Sequence, residues 1–226
     1  MNIALIPARG GSKRIPKKNI KNFFGKPIIA WSIELAFKSG CFDKVIVSTD
    51  DKEIAEIANF YGAETPFMRS KELSDDHTVL SSVISDAIQK LNLDINYLCA
   101  ILPTAPLIQV EDIQDALKQL LSQPNFDFAF TVTDFGFPIQ RALRIDDGQV
   151  SMFEPDHMNT RSQDLERAWH DAGQFYWGKA TSWLEGEPVF GSKSIPIKLP
   201  RFRVQDIDSI DDWSRAEYIF KLINKI

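Results

Sequence analysis

A basic loop that contains two adjacent glycines follows the first apolar run of the chain. Five lysine and arginine residues fall between positions 9 and 18, and Gly10 and Gly11 stand side by side among them. Glycine lets backbone N–H groups approach a ligand, and lysine and arginine supply the charge that phosphate oxygens require. The loop matches neither a Walker A pattern, GxxxxGK(S/T), nor a dinucleotide GxGxxG pattern. We therefore predict a triphosphate cradle of another type, with a solvated basic loop as the alternative.

Two carboxylates stand two residues apart near the other end of the sequence, at Asp206 and Asp208. In an extended segment their side chains point to the same face, where they repel each other unless a cation lies between them. Mg²⁺ suits oxygen ligands and readily takes substrate phosphates as further partners. The spacing thus predicts a magnesium site, and the alternative is a pair of solvated or capping acids ahead of a helix.

The remaining residues that could bind metal are scattered along the chain. His77, His157 and His170 have no neighbours at the spacing of a zinc site, so we expect no zinc. Cys41 and Cys99 lie in apolar segments and are interpreted as buried structural thiols.

The composition argues against several classes of partner. The 226 residues carry a formal net charge of −5, whereas nucleic-acid-binding proteins usually have a basic balance, so no nucleic acid is expected. No apolar run approaches the ~20 residues that cross a bilayer, and the first strand is too short for the apolar core of a signal peptide. We expect a cytoplasmic protein with no membrane partner.

Apolar runs alternate with helical periodicities, which predicts the elements that must position these residues. Gly40 is expected to end the first helix, and Asp50 to cap the second with Glu53 as its capping-box partner. Strands are predicted at 2–7, 44–48, 97–102, 126–132, 174–177 and 195–199, and helices begin near 27, 50, 79, 113 and 209.

This alternation is typical of an α/β protein with a mostly parallel sheet and helices on both faces. Ligands of such sheets bind at the carboxyl ends of the strands, so the site is expected in the loops after Pro7, Ser48, Leu102 and Thr133. The alternation stops near Phe135, and residues from 136 to about 171 are interpreted as an insertion within a single domain, 1–226. A hairpin turn is predicted in this insertion at Asp-Gly 147–148.

Five segments together resemble the CMP-sialic acid synthetase family of cytidylyltransferases, which has a Rossmann-like nucleotidyltransferase fold. They are residues 6–13 (IPARGGSK) with Lys18 and Asn19, 47–50 (VSTD), 67–69 (FMR), 103–107 (PTAPL) and 204–208 (VQDID). The resemblance implies CTP as a substrate, one or two Mg²⁺ ions on Asp206 and Asp208, and a homodimer formed through the insertion. It also implies that Arg9, Lys13 and the two aspartates are catalytic. The nucleotide-binding residues that it implies are Pro7, Ala8, Arg9, Gly10, Gly11, Ser12, Lys13, Asn19 and Arg69, and for Arg69 a surface position is the alternative.

Three further segments are similar to the pseudaminic acid branch of this family: 137–143 (FPIQRAL), 159–164 (NTRSQD) and 170–177 (HDAGQFYW). Leu102 and Ile108 stand where sialic acid enzymes place Gln and Arg, which favours a different sugar. Arg161 could instead pair with Asp164 in a surface turn. The sugar-binding residues that this likeness implies are Gln140, Arg141, Arg161, His170 and Gln174.

The resemblance implies an enzyme that transfers CMP from CTP to a nonulosonic acid, with pseudaminic acid favoured, and releases pyrophosphate. The alternatives are a CMP-sialic or CMP-legionaminic acid synthetase and, from another class, a non-catalytic nucleotide-binding protein. No dedicated general base is evident, and Asp206 or a metal-bound hydroxide are the candidates.

Overall fold

The computed structural model describes all residues from 1 to 226, arranged around one six-stranded sheet. The strands are β1 (Asn2–Pro7), β2 (Asn22–Phe23), β3 (Lys26–Pro27), β4 (Lys44–Ser48), β5 (Tyr97–Ile101), β6 (Phe128–Asp134), β7 (Leu143–Asp146), β8 (Gln149–Met152), β9 (Trp169–Lys179) and β10 (Ser194–Lys198). The α-helices are α1 (Ile28–Ser39), α2 (Lys52–Phe60), α3 (Leu80–Leu91), α4 (Val110–Ser122), α5 (Ala180–Glu185) and α6 (Ile210–Asn224). None of these helices combines the length and the apolar character needed to cross a membrane.

The strand order in the sheet is β10-β6-β9-β5-β1-β4. Five strands run in the same direction, and β9 is antiparallel to both of its neighbours, β5 and β6. The expectation of an α/β fold with a mostly parallel sheet is confirmed. The carboxyl ends of β1, β4 and β5 lie side by side at one edge of the sheet, and β9 begins at the same edge because it runs the opposite way.

Both faces of the sheet are covered, because alternate residues of the buried strands point to opposite sides. On one face Ile6 packs in a cluster with Ile33 of α1 and Ile113 of α4. On the other face Leu5 packs in a second cluster, which includes Ile84 of α3.

The two cysteines are free thiols, Cys99 fully buried in the sheet and Cys41 half-buried beside it. Burial raises the pKa of both thiols, so the reactive thiolate form is disfavoured. Both therefore suit a structural role, although Cys41 is less buried than the sequence indicated.

The predicted cap of α2 is wrong by one residue. The side chain of Asp51, rather than Asp50, accepts hydrogen bonds from the backbone N–H groups of Glu53 at 2.8 Å and Ile54 at 3.2 Å. Asp50 is thereby left free to face the basic loop, where its Oδ1 accepts a hydrogen bond from the backbone N–H of Gly10 at 2.9 Å.

Strands β7 and β8 form the hairpin predicted between positions 143 and 152, as a two-stranded sheet separate from the main one. Asp147 and Gly148 both adopt positive φ angles, 51° and 78°, as the two central residues of a type I′ turn require. The hairpin side chains are mostly exposed, so this segment contributes little to the core of the sheet.

Candidate active site

The basic loop leaves the carboxyl end of β1 and is attached to the adjacent strand β4. The backbone N–H of Ala8 donates to the carbonyl oxygen of Ser48 at 2.9 Å, which extends the strand pairing by one residue. Gly10 packs so closely on Asp51 that a Cβ at position 10 would lie 2.6 Å from its Oδ2, so only glycine fits there. A Cβ at Gly11 would meet no atom within 4 Å, so that glycine is not required by crowding.

Asn19 supports this loop from a short 3₁₀-helix, Lys18–Ile20. Its side chain is buried, and Nδ2 donates to the carbonyl oxygen of Arg9 at 2.9 Å. Asn19 therefore fixes the backbone at Arg9 while lining the cleft described below.

The acidic segment is held from behind by the residue between its two aspartates. Ile207 is fully buried in a third apolar cluster, together with Ile15 of the basic loop, Leu107 and other side chains. Because neighbouring residues of an extended segment point to opposite faces, burial of Ile207 turns Asp206 and Asp208 toward the other side. The shared cluster therefore brings the two ends of the chain together.

Direct polar contacts join the same two segments. Arg14 Nη2 lies 2.8 Å from Asp208 Oδ1, and Lys18 Nζ lies 3.5 Å from the same oxygen. Between the segments opens a cleft of about 330 Å³. It is lined by Pro7, Arg9, Ser12, Lys18, Asn19, Arg69, Leu73, Asp75, Asp76, Thr78, Leu80, Val83, Leu102, Pro103, Thr104 and Asp206.

The electrostatics of the acidic segment favour a bound cation. Asp206 is open to solvent on one side, yet the protein around its carboxylate raises its pKa by desolvation, and the charge of Asp208 raises it further. The ammonium of Lys18 opposes both effects only in part. No cluster of three or more His, Cys, Asp or Glu side chains suited to a metal occurs in the chain. Two carboxylates beside a phosphate-sized cleft nevertheless fit Mg²⁺, which takes one or two carboxylates plus water and substrate phosphates.

The carboxylate of Asp76 forms ion pairs with two cations of the basic loop, Arg9 and Lys13. Its Oδ1 lies 2.7 Å from Arg9 Nη1 and its Oδ2 lies 2.5 Å from Lys13 Nζ, while Arg9 also donates to the carbonyl oxygen of Asp75 at 2.8 Å. The hydrogen bonds from Lys13 and Arg9 hold the pKa of Asp76 below its usual value. A carboxylate thus sits where phosphate oxygens are expected. Asp76 is not among the residues predicted from the sequence, where the acidic pair at 75 and 76 is the only signal for it.

Arg69 is a buried cation that points into the cleft. Arg69 is only 6% exposed. Its Nε donates to Ser74 Oγ at 3.1 Å, and its Nη2 lies 3.9 Å from Asp50 Oδ1. Burial lowers the pKa of its guanidinium, and the charge of Arg9 lowers it further, while the carboxylates of Asp50 and Asp86 offset these effects only in part. The expected alternative of a surface arginine is therefore wrong.

The predicted sugar-binding residues do not line this cleft. Those of the insertion bond instead to nearby residues of the same chain, and Arg161 adopts the alternative pairing with Asp164. The contacts are Gln140 Nε2 to Glu166 O at 3.0 Å, Arg141 Nη1 to Ser162 Oγ at 3.3 Å, and Arg161 Nε to Asp164 Oδ2 at 2.7 Å. His170 is exposed and packs on the ring of Phe135, with centroids 4.8 Å apart. Gln174 is buried, and its Nε2 donates to the carbonyl oxygen of Arg203 at 2.8 Å.

A smaller apolar recess of about 210 Å³ adjoins the cleft and shares Leu80 with it. Its polar edge is Tyr176, whose hydroxyl donates to Asp171 Oδ2 at 2.5 Å. Burial raises the pKa of Tyr176, and the charges of Asp171 and, more weakly, Asp206 raise it further. The recess is lined by Leu80, Ser81, Tyr176, Trp183, Val189 and Phe190.

Comparison with known proteins gives a consistent result. A family model described as cytidylyltransferase matches residues 3–205. The chain is 45% identical to a pseudaminic acid cytidylyltransferase of Campylobacter jejuni, over 98% of this chain and 97% of the relative. It is 30% identical to the CMP-N,N'-diacetyllegionaminic acid synthase of Legionella pneumophila, over 97% of this chain and 96% of the relative.

Among solved structures, the fold is similar to that of a CMP:2-keto-3-deoxy-manno-octonic acid synthetase complexed with CTP. The TM-score is 0.74, and the match covers 100% of this chain and 99% of that one at 15% sequence identity. At this identity the likeness concerns the fold alone.

Proposed function

This chain belongs to the cytidylyltransferase family, and we propose that it transfers CMP from CTP to a nonulosonic acid, namely pseudaminic acid, with release of pyrophosphate. The observation that carries this proposal is the cleft in which cations of the basic loop and an acid of the late segment face one another. Arg9, Ser12 and Asn19 come from one end of the chain and Asp206 from the other. A metal-bound triphosphate needs both kinds of group at one place.

The roles of these residues follow from their charge: Arg9, Arg69 and Asp206 line the cleft, and Lys13 and Asp208 lie next to it on the same two segments. Arg9 and Lys13 bind the triphosphate and neutralise the charge that grows on the leaving pyrophosphate, and Arg69 adds a buried third cation. Asp206 and Asp208 would hold one or two Mg²⁺ ions. A bound Mg²⁺ would supply charge to the phosphate oxygens and lower the pKa of the attacking hydroxyl.

The reaction is an in-line displacement at the α-phosphorus. The anomeric hydroxyl oxygen of the sugar acid forms the new bond to phosphorus, the bond between the α-phosphorus and the bridging oxygen breaks, and the electron pair leaves with pyrophosphate. The hydroxyl proton goes to Asp206 or to solvent. Catalysis of this kind depends mainly on positioning and charge neutralisation.

The apolar recess beside the cleft is the proposed place for the acyl substituents of the sugar. It shares Leu80 with the cleft and offers Phe190 and Val189 as apolar contacts, with the Tyr176 hydroxyl at its edge. In this proposal Phe190→Ala raises the KM for the sugar acid and leaves the KM for CTP unchanged. Gln140, Arg141 and Arg161 would contact sugar only across a subunit boundary, since within one chain they lie outside the cleft.

A homodimer formed through the insertion is part of the proposal. Apolar side chains on and around the β7–β8 hairpin are open to solvent in the single chain, which is unusual unless another surface covers them. The exposed fractions are 87% for Phe137, 71% for Ile145, 63% for Val150 and 56% for Phe153. We propose the cytoplasm as the location, because CTP is supplied there.

The test is a side-by-side assay of pyrophosphate release with CTP, Mg²⁺ and one sugar acid at a time. Pseudaminic, legionaminic and N-acetylneuraminic acids are compared at equal concentration, and pseudaminic acid is expected to give the highest kcat/KM. A higher value with either other acid would replace the proposed sugar. Binding of CTP without turnover, whatever the sugar and the Mg²⁺ concentration, would favour a non-catalytic nucleotide-binding protein.

A further inference from the structure

Arg203 forms a two-armed ion pair with Asp112 just ahead of the acidic segment. Its Nη1 lies 2.6 Å from Asp112 Oδ2 and its Nη2 lies 3.0 Å from Asp112 Oδ1. The two side chains are only 17% and 12% exposed. A bidentate guanidinium–carboxylate pair fixes direction as well as distance, so it is well suited to holding one segment in register with another.

Asp112 has a second partner, which connects the pair to the start of α4. Its Oδ2 also accepts the backbone N–H of Gln109 at 2.9 Å, as part of the capping box of that helix. The loop before Gln109 is the one that places Pro103 and Thr104 in the cleft. Through Asp112, Arg203 is therefore linked to Gln109, at the C-terminal end of a loop that lines the candidate active site.

The backbone of Arg203 is linked through Gln174 to Leu102, at the N-terminal end of the same loop. Its carbonyl oxygen accepts from Nε2 of the buried Gln174 at 2.8 Å. The backbone carbonyl of Gln174 in turn accepts from the N–H of Leu102 at 2.9 Å, immediately before Pro103. Arg203 thus connects to residues 102–109 at both ends, and three residues after it the chain reaches Asp206.

We propose that Arg203 is a positioning residue for the metal-binding carboxylates. It locks the segment that carries Asp206 to the loop of Pro103 and Thr104, so that both walls of the cleft keep one geometry. This inference rests on the proposed function, because it assumes that Asp206 and Asp208 bind the metal. Nothing in the arrangement requires Arg203 to touch substrate, since it does not line the cleft and both of its terminal nitrogens donate to Asp112.

The experiment compares Arg203→Met with a matched control, Lys179→Met. Lys179 also forms a largely buried pair, 2.9 Å from Asp127, with side chains 26% and 13% exposed. It lies opposite Tyr97, the first residue of β5, and so at the end of the sheet away from the cleft. Both variants lose an ion pair of similar burial, but only one loses a connection to the acidic segment.

The readout is Mn²⁺ binding, measured by electron paramagnetic resonance in the presence of CTP and the absence of sugar. Arg203→Met is expected to weaken Mn²⁺ binding about 10- to 100-fold, the usual effect of removing a group that orients metal ligands. Binding of CTP without metal should stay within about twofold of the parent, because the basic loop is untouched. Hydrogen exchange of residues 199–209 should become faster. Lys179→Met should lower the melting temperature without changing Mn²⁺ binding, CTP binding or the hydrogen exchange of residues 199–209.

Two further variants separate the possible failures. Asp208→Asn must itself weaken Mn²⁺ binding, and if it does not, the proposed metal site is wrong. If Asp208→Asn weakens Mn²⁺ binding while Arg203→Met alters only the melting temperature, the positioning role alone is refuted. Should Arg203→Met not fold, Asp112→Asn decides the question on the same readouts, because it keeps a capping oxygen for Gln109 and loses the charged pair.

Discussion

Lys18 donates a hydrogen bond from Nζ to the carbonyl oxygen of Ile207 at 2.5 Å, across 189 residues of sequence. The same ammonium lies 3.5 Å from Asp208 Oδ1, and its side chain is only 19% exposed. One lysine therefore holds the backbone of the acidic segment and offsets part of its charge. The contact joins the two ends of the chain at the cleft, where a purely electrostatic attraction would leave the distance between them less defined.

Lys18→Met is expected to destabilise the protein and to impair turnover. The variant leaves the Ile207 carbonyl without its charged donor, a loss of about 1.5 kcal/mol for a hydrogen bond of this type, and takes a cation away from Asp206. Urea unfolding measures the stability, and pyrophosphate release measures the rate. Lys17→Met is the control, because Lys17 pairs only with the exposed Glu53. Equal effects of the two substitutions would show that the Ile207 contact has no special role.

Asp208→Asn is expected to lower turnover at least ~10²-fold, by analogy with the loss of other groups that stabilise charge in a transition state. Folding should be nearly unchanged, since Asp208 is partly exposed, its pair with Arg14 is worth ~1 kcal/mol or less, and Lys18 keeps its hydrogen bond to the Ile207 carbonyl. Steady-state kinetics and thermal unfolding measure the two effects. Asp211→Asn, an exposed acid in the first turn of α6, serves as control. Near-normal turnover in Asp208→Asn would remove this residue from the mechanism.

Most of the main sheet could be predicted from the sequence, because its strands are buried on both faces and read as short apolar runs. The direction of β9 could not, since an apolar run such as 174–177 is the same in a parallel or an antiparallel strand. The same strand has an irregular register opposite Phe130 and Val132, and Gly173 within it has a φ of 60°; an apolar run does not reveal either feature. Adjacent acids were equally ambiguous, and the sequence could not show that Asp51 rather than Asp50 caps α2.

The candidate site was predictable where motifs follow strand ends. Arg9, Ser12, Asn19, Arg69 and Asp206 were all proposed from the sequence, and the fold brings them to one cleft. Their roles stay predictions. The predicted sugar-binding residues of the insertion, in contrast, do not line the cleft, because a motif identifies residues without saying which surface they face. Asp76 could not be found either, since an exposed turn has no periodicity that relates it to the basic loop.

The ion pair between Lys179 and Asp127 should make the free energy of unfolding depend on pH. Burial raises the pKa of Asp127, but Lys179 and Lys193 outweigh this effect and the pKa is lowered overall. A depressed pKa in the folded state means that the carboxylate stabilises the fold above the unfolded pKa of ~4, and that this contribution disappears as the pH falls through the folded value. Asp127→Asn should therefore be less stable than the parent in urea at pH 7, and the difference should shrink below about pH 4. A difference that is constant with pH would indicate a packing effect instead.

Asp76→Asn should strengthen the binding of CTP, because the carboxylate of Asp76 occupies Arg9 and Lys13 at 2.7 and 2.5 Å and must leave before phosphate oxygens can take its place. The pairs are exposed, so the expected gain is modest, about two- to fivefold in the dissociation constant at low salt. Isothermal titration with CTP measures it, and the gain should fade as salt screens the cations. In a Lys13→Ala background the same substitution should gain less, since one of the two cations that it releases is absent. If Asp76→Asn weakens CTP binding instead, Asp76 is part of the bound site rather than a group that the triphosphate displaces.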